Sequence, residues 1–343
     1  MSSPQDSQPA ESGARGSLNW KPVVAFLGRY GFMIALLLPA IILLATNETF
    51  RNPLNLSNIL AQSSMVGVAA VGMTVVMILG GFDLSIGAIA AVTGLVAVLV
   101  FGTGDPLFLA LGCLACIGAG ALLGAFNGTL ISRIGINPLI ATLAMASLVR
   151  GLVLISSEGT IHRAEGDAMW ITTLALGRVG GGFPVAGFFF IGAVVMGSII
   201  LRYAKFGRWV YAIGGNEEAA RLSGVPVSRV VITCYALMGG LAGLSGLLFT
   251  ARTGTALTTT GIGLEIDAIT ATVIGGTRLG GGHGAILGTV VGVILLGVIR
   301  NGLNLNGVSP FWQPFIIGCI LLITVSISVW MNRTENRSRA GGF

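Results

Sequence analysis

Charge is what this chain has least of. Only 9% of its 343 residues are charged, against about a quarter in a soluble domain, and that excludes an ordinary water-soluble fold. Lysine is almost missing, with Lys21 and Lys205 alone. A phosphate-binding loop of the G-x-x-x-x-G-K-[ST] type needs a lysine after glycine, because the ammonium must reach the terminal phosphates. Here Lys21 follows Trp20 and Lys205 follows Ala204, so the chain has no ATPase loop of that kind. Its two histidines, His162 and His283, fall in different loops and no H-E-x-x-H occurs, which excludes a paired-histidine zinc protease. No G-x-S-x-G elbow is present either, and Ser63 and Ser64 have no histidine base in reach. Of the four cysteines, Cys113 and Cys116 form a C-x-x-C inside an apolar run with no histidine or second pair nearby. That pattern reads as packing. The expectation is a chain that is not an enzyme and binds no metal or cofactor of its own.

What fills the sequence is apolar: 54% hydrophobic residues, a mean hydropathy of +0.89 and 53 glycines. The apolar runs reach about 20 residues, the length of helix that crosses a hydrocarbon core of about 30 Å, and strand alternation is absent. The fold class expected is an all-α integral membrane protein, a polytopic bundle of about ten helices. The runs are 26–45, 58–79, 84–101, 107–131, 138–155, 185–203, 230–250, 265–274 (short), 285–303 and 312–330. Small residues recur inside them, for example Ala285, Gly288, Gly292 and Gly297, and let backbones approach where lipid gives helices no hydrophobic drive to associate.

Residues 1–20 are polar and rich in Ser, Gly and Pro, and read as a disordered tail; 21–332 is the membrane domain and 333–343 a second tail. Basic residues are retained on the cytoplasmic side of short loops. With the amino terminus inside, that side collects thirteen basic residues and the outside four, Arg51, Arg163, Arg178 and Arg252. Both termini and the loop 204–229 are thus expected in the cytoplasm, and 156–184 as a small external cap. An internal repeat is also expected. Gly80-Gly81-Phe82-Asp83-Leu84-Ser85-Ile86-Gly87 is echoed by Gly275-Gly276-Thr277-Arg278-Leu279 running to Gly284-Ala285-Ile286, the kind of glycine-broken pair that transporters place around a pathway.

Between two apolar blocks lies one polar island, Gly214-Gly215-Asn216-Glu217-Glu218-Ala219-Ala220-Arg221-Leu222-Ser223-Gly224. So many charges in so apolar a chain point to a short helix offered to another protein, with Gly214 and Gly224 as its flexible limits and Ala220 on its contact face. Candidates for a translocation pathway are Asp83, Ser85, Asn127, Asn137, Thr142, Arg150, Glu265, Asp267, Asn301 and Asn304. Each has a plainer reading. Asp83, Glu265 and Asp267 sit by helix ends, where carboxylates cap backbone N–H groups. The amides and hydroxyls suit hydroxyl-rich solutes, and equally tie helices together. For Arg150 and Arg300, snorkelling to the interface and facing a wet cavity both fit.

The island, with Gly207-Arg208 before it, resembles the coupling loop of bacterial ABC sugar-uptake permeases of the ribose, xylose and galactose type. The stretches Gly80 to Gly87, Asn137-Pro138-Leu139-Ile140-Ala141-Thr142-Leu143, Glu265-Ile266-Asp267-Ala268-Ile269 through Thr277, and Asn301 to Val308 match in order and spacing over roughly residues 55 to 330. Phe82 departs from the aliphatic residue more usual there. The resemblance implies a permease subunit for a monosaccharide, paired with a second permease as homodimer or heterodimer. It implies a cytoplasmic ATPase subunit that holds ATP and Mg, docked through Glu217 to Leu222. It also implies an external solute-binding protein, the bilayer as surroundings, and no nucleic acid. Other solutes (a nucleoside, an autoinducer sugar, a branched-chain amino acid) and an ion-coupled secondary carrier stay open as alternatives.

Overall fold

The computed structural model describes residues 38, 40–100, 106–163 and 171–340. The expected disordered tail 1–20 and most of the run 26–45 lie outside the described residues; residues 40–46 are helical. Helix α1 (Pro53–Leu79) shows how such elements are punctuated. Asn52 caps it through its side chain, Pro53 supplies a pre-set first turn, and Gly80 ends it in a left-handed conformation, φ 97°. The remaining main helices are α2 (Ile86–Val100), α3 (Pro106–Thr129), α4 (Pro138–Ser156), α5 (Val185–Tyr203), α6 (Lys205–Gly215), α7 (Glu217–Leu222), α8 (Val227–Thr253), α9 (Leu264–Ile274), α10 (Ile286–Leu305) and α11 (Trp312–Ala340). A π-helical turn, Leu130–Ile134, prolongs α3.

Six helices among the described residues are long and apolar enough to cross a membrane: α1, Ala110–Ile134, α4, α5, α8 and α10. The run 265–274 does not cross alone. Gly263 and Gly275 confine α9 to 11 residues, about 16 Å of helix against a core of about 30 Å. Burial orders the bundle. The apolar stretch of α1 is 94% buried and that of α8 72%, whereas the other four stand at 28–39%, so α1 and α8 form the centre and the rest face outward. Ser245 of α8 donates to the Met65 carbonyl at 2.6 Å, and the Thr74 and Thr289 hydroxyls meet at 2.6 Å between α1 and α10.

Glycine sets the α3–α8 contact. A Cβ added at Gly124 would stand 2.0 Å from the Tyr235 carbonyl oxygen, and one at Gly239 would stand 2.1 Å from that of Gly120. Backbone touches backbone there. The expected small-residue contacts of α10 are present as well: a Cβ at Gly288 would meet the Gly275 carbonyl oxygen, at Gly292 that of Ala271, and at Gly297 the Ser63 hydroxyl, each at 2.0 Å. Gly124→Val is therefore expected to destabilise the protein by about 1–3 kcal/mol or more. Gly118→Val, where nothing lies within 4 Å, is expected to leave thermal unfolding of the solubilised protein unchanged; equal melting of the two variants would refute this packing.

At the bundle end away from α6, short strands fasten the loops. Strand β1 (His162–Arg163) pairs antiparallel with β4 (Thr255–Ala256), and β2 (Arg178–Val179) with β3 (Phe183–Pro184). Arg178 donates to Asn58 at 2.7 Å, and Asn55 and Asn301 exchange amide hydrogen bonds at 3.0 and 2.8 Å.

Candidate functional site

The polar island folds into α6 and α7, and α6 is seated by its sequence. It buries Gly207, Val210 and Ile213, three-residue spacing that places all of them on one helix face. The Tyr211 hydroxyl donates to the Gly284 carbonyl at 2.8 Å. Burial pushes that phenol up from its ordinary pKa, so it stays a donor at neutral pH. Gly214 is no flexible limit, contrary to the sequence expectation. It is helical, and a Cβ there would stand 1.8 Å from the Ile78 carbonyl oxygen and 2.6 Å from the Gly282 nitrogen. Ile78 and Gly282 are themselves joined, Gly282 N–H donating to the Ile78 carbonyl at 2.8 Å. Thus the glycine-rich breaks after α1 and after α9 meet in space, and α6 lies across their junction.

Helix α7 is short and capped at both ends. Asn216 accepts from the Ala219 N–H at 2.9 Å, Glu217 and Glu218 occupy the first turn, and Arg221 the last. After Ser223 the chain turns back through Gly224 at φ 80°. Gly224 N–H donates to Arg221 and Val225 N–H to Ala220, the paired bonds of a glycine-terminated helix end. Gly224 is thus the limit the sequence suggested. Ala220 is a correction: it is 5% exposed and belongs to the protein's own core, with Val225 packed beside it. The outward face carries Glu217, Glu218, Ala219, Arg221 and Leu222. Arg221 and Glu217 pair at 2.6 Å while both remain more than half exposed, a contact worth little by itself. Leu222 is 81% exposed. Beside this helix a cavity of about 720 Å³ opens between Glu217, Arg221, Arg229 and the Ile131–Ser132 turn.

The pathway candidates separate into small groups. Asp83, Ser85 and Asn127 come together, all fully buried. Asp83 Oδ1 accepts from the Ser85 N–H at 2.8 Å and from its hydroxyl at 2.5 Å, and Asn127 donates to Ser85 Oγ at 2.9 Å. Asp83 thus accepts a backbone N–H at the start of α2, that of Ser85, the residue before the helix. Asp83→Ala is expected to cost about 1–3 kcal/mol by stranding buried donors, and Asp83→Asn, which keeps the accepting oxygen, clearly less; unfolding of the two variants at the same temperature would contradict that ordering. Asn137 caps α4 by accepting from Leu139, and Thr142 bonds back to Pro138. Asn304 accepts from Gln313 at 2.8 Å. Asp267 lies in the first turn of α9, as expected, and in addition pairs with Arg300 at 2.5 Å. Glu265 stays in the first turn of α9. Arg150 donates to the Thr258 and Thr260 carbonyls at 2.7 and 2.9 Å. Both intramembrane arginines therefore find protein partners, and the amides mostly tie helices.

One residue that the sequence reading passed over is Tyr235. Its hydroxyl, 1% exposed as a residue, donates to the Phe82 carbonyl at 3.0 Å and holds the first glycine break against α8. The available signal was a tyrosine inside an apolar run, since a buried phenol needs an acceptor.

A family model described as branched-chain amino acid transport system / permease component matches residues 55–325. The ribose import permease protein RbsC of Bacillus subtilis is 42% identical over 298 residues, covering 87% of this chain and 91% of its own. RbsC of Escherichia coli K12 is 38% identical over 308 residues, 88% and 94% of the two chains. The L-arabinose ABC transporter permease protein AraH of Azospirillum brasilense is 37% identical over 327 residues, 93% and 91%. No solved structure matches the chain.

Proposed function

The chain belongs to the branched-chain amino acid transport system / permease component family, and from that premise we propose that it is the membrane-spanning subunit of an ATP-binding cassette importer for a monosaccharide of the ribose type. The observation that carries the reading is the 38–42% identity to ribose import permeases over nine-tenths of their length. Those relatives, with the arabinose one, favour a sugar over the amino acid in the family's description. The chain needs partners to do this work: an ATPase subunit that binds ATP and Mg, a solute-binding protein and a second permease copy. It sits in the bacterial inner membrane with both termini and 204–229 in the cytoplasm. The run 26–45, α2, α9 and α11 complete about ten segments around two related glycine-broken hairpins.

The physics is alternating access. Closure of the ATPases must move membrane helices, so force has to enter through a rigid contact. Helix α7 provides the contact: Asn216 and Gly224 cap it, and Glu217, Glu218, Ala219, Arg221 and Leu222 face outward. Helix α6 carries the displacement to the 78–85 and 275–284 breaks. Asp83, Ser85, Asn127 and Arg150 lie where that movement changes the bundle, and Asn137, Thr142, Glu265, Asp267, Asn301 and Asn304 line or brace the route.

Reconstitution tests the reading. The chain alone in proteoliposomes is expected to hydrolyse no ATP and to concentrate no sugar; with its ATPase and binding protein it is expected to do both. Uphill uptake by the chain alone under a proton or sodium gradient would establish a secondary carrier instead. Orientation has its own test, a single cysteine at position 216 in a cysteine-free background. It should resist an impermeant maleimide in intact cells and react in inverted vesicles, and the opposite pattern would reverse the topology.

A further inference from the structure

At the bundle end opposite α6 and α7, a cavity of about 380 Å³ opens among α1, the end of α8 and the start of α9. Its size is within the range of about 300–1,000 Å³ usual for small-molecule sites. Gln62 on α1 is 17 residues before Leu79, which puts it about 25 Å along the helix from the breaks under α6. Three charged side chains converge here: Arg252, Asp267 and Arg300. Asp267 and Arg300 are paired at 2.5 Å and are 14% and 29% exposed. That leaves Arg300 Nε buried without a partner among the described residues. Arg252, half-buried, makes no hydrogen bond or ion pair with any other described residue. A partly desolvated guanidinium without partners is a standing cost. Gln62, Thr253 and Thr259 add neutral polar groups to the same wall.

We propose that this cavity is a solute site within the permease, in which the Arg252 fork and the free edge of the Asp267–Arg300 pair hold vicinal hydroxyls of a neutral monosaccharide. The inference rests on the sugar-permease reading and adds the binding residues, Arg252 and Gln62 above all. The chemistry fits that solute class. Each sugar hydroxyl both donates and accepts, a guanidinium offers donors in a planar fork, a carboxylate only accepts, and an amide does both. Two neighbouring hydroxyl oxygens thus match one fork, as two carboxylate oxygens do. The opposite charges of Asp267 and Arg300 cancel, so no net charge has to come from the ligand at their edge. The location fits as well, since the cavity and α7 lie at opposite ends of α1.

The test uses the full complex of permease, ATPase and binding protein in proteoliposomes, with radiolabelled ribose, arabinose and fructose at saturating binding protein. Arg252→Gln and Gln62→Ala are expected to lower uptake tenfold or more and several-fold, respectively, with ATPase co-purification and capture of the loaded binding protein at wild-type levels. Arg252→Lys keeps the charge but not the fork and is expected to remain at least several-fold impaired. Uptake within twofold of wild type in both Arg252 variants would overturn the site, and so would loss of binding-protein capture in step with uptake, which would place Arg252 on a docking surface. A wild-type complex that accepts none of the three sugars would overturn the sugar reading itself, and this site with it, whereas normal wild-type uptake with unaffected variants overturns the site alone.

Discussion

Gly214→Val is expected to reduce sugar uptake by more than tenfold, while Gly215→Val, one residue further along, is expected to leave it near normal. The two glycines are chemically identical and lie in the same last turn of α6. They differ only in what surrounds them. A Cβ at Gly214 would stand 1.8 Å from the Ile78 carbonyl oxygen and 2.6 Å from the Gly282 nitrogen, whereas nothing lies within 4 Å of the corresponding position at Gly215. Both close atoms at Gly214 are backbone, so no rotamer change relieves the overlap and α6 itself must lift. Overpacking of this kind typically costs about 1–3 kcal/mol. Here the cost falls on a seat that joins α6 to both glycine breaks, and the Ile78–Gly282 and Tyr211–Gly284 bonds lie beside it. Uptake in reconstituted complexes at matched membrane levels is the measurement. Equal activity of the two variants would show that the α6 seat transmits nothing.

The same pair of glycines shows how far the sequence could be read. The existence of a polar island, its helical core Glu217 to Leu222 and its glycine end at Gly224 were legible, because capping and left-handed glycine are local matters that a short window contains. The role of Gly214 was not legible. Whether a glycine bends freely or admits a neighbouring backbone depends on residues more than sixty positions away, and Ile78 and Gly282 give no local sign of it. Ala220 failed for the same reason: an alanine beside charged residues reads as surface until Val225 turns back over it. Apolar length located most of the spans and marked 265–274 as short; what it does not register is that Gly263 and Gly275 bound that helix, so that it cannot cross alone. Charges in apolar runs were found at once. Their partners were not, because Asp267 and Arg300 are 33 positions apart on two helices and either residue alone fits a cap or a snorkel equally well.

Leu222→Asp is expected to release the ATPase subunit while leaving the permease folded. Leu222 is 81% exposed on a helix otherwise lined with charge, and its side chain contributes almost nothing to the protein's own core. Burying a leucine against a partner is worth about 1.5–3 kcal/mol, and each 1.4 kcal/mol is a factor of ten in affinity, so the loss of that contact alone weakens docking by roughly 10- to 100-fold. The carboxylate adds a desolvation cost and a third acidic group beside Glu217 and Glu218. Ala220→Arg, two residues away, serves as the contrast. It is buried in the permease itself, so it is expected to lower the melting temperature of the isolated chain, which Leu222→Asp is expected to leave unchanged. Co-purification of the ATPase and thermal unfolding of the lone permease, measured on both variants, separate a docking knob from a structural one. Retention of the ATPase by Leu222→Asp at wild-type stoichiometry would remove Leu222 as the docking contact and leave the 720 Å³ cavity between Glu217, Arg221, Arg229 and the Ile131–Ser132 turn as the surface that holds the partner.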